Sequence, residues 1–239
     1  MNIHIYDNAE QIAKAVGDML IDAVNEKPEI TIGFATGASP VPTYNYLKKQ
    51  YNEGKVSFKD MTTFNLDEYC DLPVEDKNSY YSFMHDNLFD HIDVKEENVN
   101  FLNGNAEDTE AECDRYDELI DRQGIDIQIL GIGRNGHIGF NEPSDKFTKG
   151  AFKVKLTDST IEANSIYFDE NPMPHYALTM GTASILHSKQ IIMIATGASK
   201  ADAIFDTLNG DITPNCPASI LQVHPDVHIF LDKEAAAKL

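Results

Sequence analysis

The sequence predicts an α/β fold: a mostly parallel sheet with helices on both faces, a Rossmann-like three-layer sandwich, as a single domain over residues 1–239. Three observations carry this. Short apolar runs alternate with segments of helical periodicity along the chain. The runs are almost continuously apolar, as strands covered on both faces must be. No Pro/Ser/Gly-rich linker or low-complexity tract divides the 239 residues, a length suited to one large domain.

Ile12, Val16, Met19, Leu20, Ala23 and Val24 recur at helical spacing and predict the first helix. Residues 29–35 then read as a strand leading into Thr36-Gly37-Ala38-Ser39-Pro40, with a helix through Tyr44 and Leu47 behind it. Residues 61–66 form the next strand, which ends in a loop at Asp67-Glu68-Tyr69. Residues 79–91 suit a helix with Tyr80, Phe83, Met84 and Leu88 on one side, and 99–102 a short strand. The acidic stretch 107–122 reads as a helix with a solvated outer face, ended by Gly124. Residues 125–130 form a buried strand. Beyond it, 152–156 suits a strand, 159–166 a helix and 179–186 a further helical segment. Residues 191–195 form a strand leading into Thr196-Gly197-Ala198-Ser199-Lys200 and a helix through Ala203, Ile204 and Leu208. A last helix near 218–222 and a strand at 227–231 complete the alternation.

Composition narrows the partners. Nineteen Lys and Arg against thirty-nine Asp and Glu give a net charge of −20, which repels nucleic acid and anionic lipid alike. The same field opposes a small anion, so a phosphate site must be built locally from backbone N–H groups and one or two placed cations. The apolar runs are too short to span a bilayer, and residues 1–6 lack a basic segment followed by an apolar one, so a cytoplasmic protein is expected. Cys70, Cys113 and Cys216 are odd in number and widely spaced, which suits a reducing compartment and neither a disulfide framework nor a zinc site. His224 and His228 stand four apart, but Pro225 and the alternation of Val227, Ile229 and Leu231 make that segment a strand. No metal is expected there.

Four predicted strands end in chemically distinctive loops: Thr36-Gly37-Ala38-Ser39, Asp67-Glu68-Tyr69, the tract from Gly131 to Pro143, and Thr196-Gly197-Ala198-Ser199-Lys200. In a parallel sheet these ends share one edge, so the loops should converge on a single crevice. The tract Gly131-Ile132-Gly133-Arg134-Asn135-Gly136-His137-Ile138-Gly139-Phe140-Asn141-Glu142-Pro143 sets an imidazole, a carboxamide and a carboxylate among four glycines. Glycine lets the backbone turn left-handed and approach a ligand. Glu142, five residues beyond His137, can fold back onto it and fix its tautomer, while Asn135 can orient the histidine or bond a substrate hydroxyl.

Ala-Thr-Gly-Ala-Ser occurs twice, at 35–39 and 195–199. Such a loop between strand and helix points amides and hydroxyls at an anion, and Lys200 adds a cation beside the second copy. Neither copy is a Walker A sequence, so a monophosphate fits better than a nucleoside triphosphate. Ordinary helix capping by Ser or Thr remains open as the other use of these loops. Asp67, partly desolvated at a strand end, suits a general base, with capping of the following turn as its alternative and Glu68 as an outward neighbour. Cys70 has no histidine in its local stretch and is not expected to act as a nucleophile.

Taken together, Gly33-Phe34-Ala35-Thr36-Gly37-Ala38-Ser39-Pro40, Phe64-Asn65-Leu66-Asp67-Glu68-Tyr69 and the 131–143 tract closely resemble the glucosamine-6-phosphate deaminase family, and the resemblance runs through nearly the whole chain. Its most specific element is Gly-His-Ile-Gly-Phe-Asn-Glu-Pro. What the resemblance implies is conversion of glucosamine 6-phosphate and water to fructose 6-phosphate and ammonia, with no metal or organic cofactor. By the family's pattern His137, helped by Glu142 and the residue at 135, opens the pyranose ring. Asp67 then moves a proton from C2 to C1. Thr36, Gly37, Ala38, Ser39 and Lys200 hold the phosphate. Two departures stand out: Asn135 where many members have Asp, and Lys149-Gly150-Ala151 where members often show Ser-Arg-Thr with its arginine on the phosphate. The chain is shorter than the hexameric, regulated members, so a monomer or small homo-oligomer is expected. The alternatives are a 6-phosphogluconolactonase-like sugar-lactone hydrolase on the same fold and a non-catalytic sugar-phosphate sensor.

Overall fold

The computed structural model describes residues 1–165, 168 and 172–239. In chain order the elements are β1 (Asn2–Tyr6), α1 (Ala9–Glu26), β2 (Thr31–Phe34), α2 (Val41–Asn52), β3 (Thr62–Asn65), β4 (Asp67–Tyr69), α3 (Tyr80–Asn87), β5 (Val99–Asn100), α4 (Thr109–Gln123), β6 (Ile127–Leu130), β7 (Phe152–Lys155), α5 (Asp158–Ser165), β8 (Tyr176–Thr179), α6 (Thr182–Leu186), β9 (Gln190–Ala195), α7 (Ala201–Asn209) and β10 (Val227–Asp232). The helix starts follow local chemistry. Asn8 accepts the Gln11 N–H at 3.0 Å to cap α1, and Asp108 accepts the amides of Glu110 and Ala111 to cap α4. Gly124, at φ 70°, closes α4.

Seven strands form one sheet in the order β1-β10-β9-β6-β2-β3-β5, and every pairing in it is parallel. β2 and β6 are buried along their whole length, which is why they read as mostly apolar runs, broken only by the buried Thr31 and Gln128. Successive strand residues face opposite sides. Phe34 packs on Tyr44 of α2 and Phe64, which shares the face of Gly33, packs on Tyr116 of α4, so helices cover both faces. From β2 the chain moves outward through β3 to β5, then returns to β6 on the other side of β2 and runs outward through β9 and β10. The reversal at β2/β6 is a topological switch point, where such sheets bind ligands. Among the described residues no helix is long and apolar enough to cross a membrane.

The structure corrects the expected elements in three places. Residues 67–69 are not a loop: they form β4, which pairs antiparallel with β8 (Asp67↔Thr179), and β7 pairs antiparallel with β8 in turn. This second, three-stranded sheet takes up the strand expected at 152–156. Residues 176–179 are strand, and the helix begins only at Thr182. Ala177, Leu178, Thr179 and Met180 are fully buried, and their apolar run merges in sequence with that of α6. β1 had no signal because it is an edge strand that leaves Ile3 and Ile5 about half exposed, burying only one side against Phe230. The helix expected at 159–166 is α5; its last expected residue lies outside the described residues.

Candidate functional site

The four distinctive loops leave β2, β3, β6 and β9, which are four consecutive strands in the sheet, so their convergence follows directly from the strand order. At the loop after β6, Gly133 N–H donates to the His137 carbonyl at 2.9 Å and Gly136 N–H to the Gly133 carbonyl at 3.1 Å, folding the tract into a tight turn. The His137 ring lies directly over Gly133, where a Cβ would stand 2.3 Å from Nδ1. Any other residue at 133 would displace the imidazole.

Asn135, His137 and Glu142 meet. Glu142 Oε2 accepts Asn135 Nδ2 at 2.9 Å and lies 3.4 Å from His137 Nδ1, a contact whose alignment falls short of a hydrogen bond. Asn135 Oδ1 accepts the His137 backbone N–H at 3.2 Å, so the carboxamide ties both ends of the pair. The other Glu142 oxygen accepts the Thr160 hydroxyl. Burial works to raise the Glu142 carboxyl, but His137, Thr160 and Asn135 together hold it below its ordinary range. It is therefore an anion poised behind an imidazole. Thr160 carried no motif in the sequence, and only the fold brings α5 to this point.

Asp67 comes from β4, which follows the neighbouring strand β3. It is 5 % exposed, and burial followed by the charge of Glu68 pushes its carboxyl well above the usual carboxylate range. Gly139, at φ 55°, lets the His137 tract close over it: a Cβ there would stand 3.0 Å from Thr179 Oγ1 and 3.4 Å from Asp67 Oδ2. Thr179, the β8 partner of Asp67, accepts the Phe140 N–H at 3.0 Å and locks this approach. Glu68 is not the outward neighbour expected for it. It is buried, and its carboxylate accepts the amides of Tyr69, Tyr80 and Tyr81. Cys70 is buried and its thiol is pushed up to about 11 by burial, which removes it from nucleophilic chemistry.

The two Ala-Thr-Gly-Ala-Ser copies share a backbone turn, with Gly37 at φ 96° and Gly197 at φ 88°, yet differ in use. In the first, the residue ahead of α2 is Pro40 and no side chain caps the helix, so Thr36 and Ser39 are not capping it. Gly37 and Ala38 are exposed, and Thr36 and Ser39 partly so. In the second, the Gly197 N–H is already taken by the Asp232 carboxylate at 2.9 and 3.0 Å. Its contribution is Lys200, whose Nζ donates to the Ile132 carbonyl at 2.7 Å and so lies against the loop after β6. Burial, then Arg134, hold its ammonium below the usual range. Arg134 is thus a second cation beside Lys200, unremarked in the sequence because a lone exposed arginine carries no pattern. Gly150 packs on α4, where a Cβ would meet Asp117 Oδ2 at 2.5 Å, and Lys149 is exposed.

His224 Nε2 donates to the Ser188 carbonyl at 2.8 Å and its Nδ1 accepts the Asp226 amide, while His228 lies in β10. Among the described residues no group of His, Cys, Asp and Glu is arranged to hold a metal ion.

The chain is similar to known proteins in sequence and in fold. Residues 6–229 match the family described as glucosamine-6-phosphate isomerases/6-phosphogluconolactonase. The glucosamine-6-phosphate deaminase of Clostridioides difficile (strain 630) is 46% identical, the alignment covering 100% of this chain and 97% of the relative. That of Clostridium botulinum (strain Okra / Type B1) is also 46% identical, over 100% and 99%. A solved monomeric glucosamine-6-phosphate deaminase superposes with a TM-score of 0.96 at 43% identity, with both chains fully covered. A 6-phosphogluconolactonase from Trypanosoma cruzi shares the fold at a TM-score of 0.80 and 17% identity, covering 100% of this chain and 96% of its own. With a match over almost its whole length and relatives this similar, the chain belongs to the glucosamine-6-phosphate isomerase/6-phosphogluconolactonase family.

Proposed function

We propose that the protein converts glucosamine 6-phosphate and water to fructose 6-phosphate and ammonia. The observation that carries this is the pairing of two different proton-transfer devices across Gly139: a buried carboxylate with a raised pKa, Asp67, and an imidazole backed by an anion, His137 with Glu142. An aldose–ketose isomerisation of an amino sugar needs both. The identity to named deaminases over the full chain supports the same reading.

The phosphate sits on the amides and hydroxyls of Thr36, Gly37, Ala38 and Ser39 at the uncapped start of α2, with Lys200 as cation. His137 takes the proton of the O1 hydroxyl and returns it to the ring oxygen, so the C1–O5 bond opens to the aldehyde. Glu142 stabilises the imidazolium in between, and Asn135 holds Glu142 in place. Asp67 removes the C2 proton while a proton of the substrate ammonium passes to the C1 oxygen, which gives a neutral enolamine; Asp67 then delivers its proton to C1, leaving a protonated imine at C2. Water adds to C2, the C–N bond breaks and ammonia leaves. No step requires a cofactor. The reading includes a cytoplasmic setting in amino-sugar catabolism, supported by the unpaired state of Cys70, Cys113 and Cys216, and a monomer, as in the solved relative.

Incubation of the purified protein with glucosamine 6-phosphate tests the reading. Ammonia and fructose 6-phosphate are expected in equal amounts. Hydrolysis of 6-phosphogluconolactone without ammonia release would replace it with the lactonase, and tight binding without turnover with the sensor.

A further inference from the structure

Glu68 is 6 % exposed, yet its carboxylate accepts three backbone N–H groups: Tyr69 at 2.8 Å and Tyr80 at 2.9 Å on Oε1, and Tyr81 at 2.9 Å on Oε2. The last two are the first amides of α3, donors that no helical carbonyl can reach. The carboxylate is therefore the anion on that helix N-terminus, with Ser79 capping the Ser82 amide beside it. The start of α3 is pinned to the strand that carries Asp67.

Tyr80 is what the pin fixes. Its ring stacks on Phe140 at 5.9 Å and 11°, and lies tilted on Tyr69 at 4.7 Å. Its hydroxyl donates to the Tyr69 hydroxyl at 3.2 Å and interacts with the Thr36 side chain. Burial, then the neighbouring Tyr69 and Asp67, keep the phenol protonated, so it remains a donor. One side chain thus touches β4, the 36–39 loop and the 131–143 tract. A sugar held by its phosphate on the 36–39 loop presents C2 to Asp67 on β4. The spacing between that loop and β4 sets whether the carboxylate reaches its proton, and misplacement by about 1 Å can cost on the order of 100-fold in rate.

We propose that Glu68 and Tyr80 form a positioning unit for proton transfer at C2, Glu68 holding α3 against β4 and Tyr80 locking the Asp67 strand to the phosphate loop and the His137 tract. The proposal rests on the deaminase reading above. Neither residue touches the reacting atoms; both act through Asp67.

Tyr80→Phe removes one hydroxyl and keeps the ring, while Glu68→Gln keeps the shape and removes the charge. With glucosamine 6-phosphate carrying deuterium at C2, both variants are expected to lose about 3- to 10-fold in kcat, the size of one hydrogen bond, with KM little changed. The C2 deuterium isotope effect on kcat should grow, because proton transfer becomes slower relative to the other steps. Glu68→Gln should also move the acid limb of kcat/KM to lower pH. The titratable groups facing Asp67 are Glu68 on its own strand, Tyr80 from α3 and Tyr116 from α4, and Glu68 alone among them is an acid whose charge is lost in the variant. Gly139 and Thr179, on the remaining sides, do not titrate. Parental kcat, isotope effect and pH profile in both variants would overturn the proposal. So would a loss of activity that tracks folded fraction by circular dichroism with the isotope effect unchanged. A parent protein that releases no ammonia overturns the deaminase reading itself, before either variant is compared.

Discussion

At Asp67 burial and the adjacent charge of Glu68 both oppose ionisation, so the folded protein holds this carboxyl above the range it has in the unfolded chain. A group raised in this way favours folding below its unfolded pKa and loses that contribution as pH rises through its folded pKa. At neutral pH Asp67 therefore costs stability, as the base proposed above would. Asp67→Asn should raise Tm at pH 7 to 8, with the gain vanishing near pH 3, and should reduce ammonia release by about 1,000-fold or more while calorimetry still detects glucosamine 6-phosphate binding. A near-parental rate would remove Asp67 from the base position. Asn135 poses the complementary question. Its Nδ2 now donates to Glu142, and an aspartate there would replace a donor with a like charge. Asn135→Asp is expected to stay active above pH 7 and to lose activity earlier than the parent on acidification, as the Glu142 carboxyl rises. A pH–rate profile decides it, and loss of activity at all pH values would show that the amide donor is required.

At the scale of elements, a repeated pentapeptide has been put to two uses. The loop after β2 leaves its turn open ahead of an uncapped helix, whereas the loop after β9 closes on Asp232, which also accepts the Ala235 amide. Lys200→Ala should raise KM for glucosamine 6-phosphate about 10-fold with a smaller change in kcat, as loss of uniform phosphate binding requires. Asp232→Ala should instead lower stability by about 1–2 kcal/mol, read by urea unfolding, and leave KM within about 2-fold. The reverse pattern would exchange their roles. No feature of the two pentapeptides distinguishes them in sequence, because the difference comes from a carboxylate at the far end of β10. The strands β2, β6 and β9 were legible because strands buried on both faces are mostly apolar, and β3, Thr-Thr-Phe-Asn, because Met61 and Leu66 flank it with apolar residues. β4 was not: three residues, two of them acidic, show no alternation, and their strand character exists only through pairing with β8. With β4 unseen, Glu68 could not be told from an outward neighbour, although both acids turn out to be buried. Asn135, His137 and Glu142 were legible as a group because a short glycine-rich loop keeps them within reach of one another, while Thr160 and Tyr80 arrive from distant helices.

The whole molecule brings a negative field to an anionic substrate. A net charge of −20 surrounds the proposed phosphate site, and the cations beside it, Lys200 and Arg134, are local. Glucosamine 6-phosphate itself combines that dianion with an ammonium, so the long-range interaction is a net repulsion and the short-range one an attraction. The two respond differently to salt. Raising ionic strength from 0.01 to 0.15 M shortens the screening length from about 30 Å to about 8 Å, which suppresses the distant acidic groups far more than a cation in contact with the phosphate. KM is therefore expected to fall by a few-fold over that range in the parent. In Lys200→Ala the local attraction is weakened and the repulsive field is unchanged, so the same titration should show a steeper fall from a higher starting value. A KM that climbs with salt in the parent would mean that the local cations, and not the overall charge, govern encounter with the substrate.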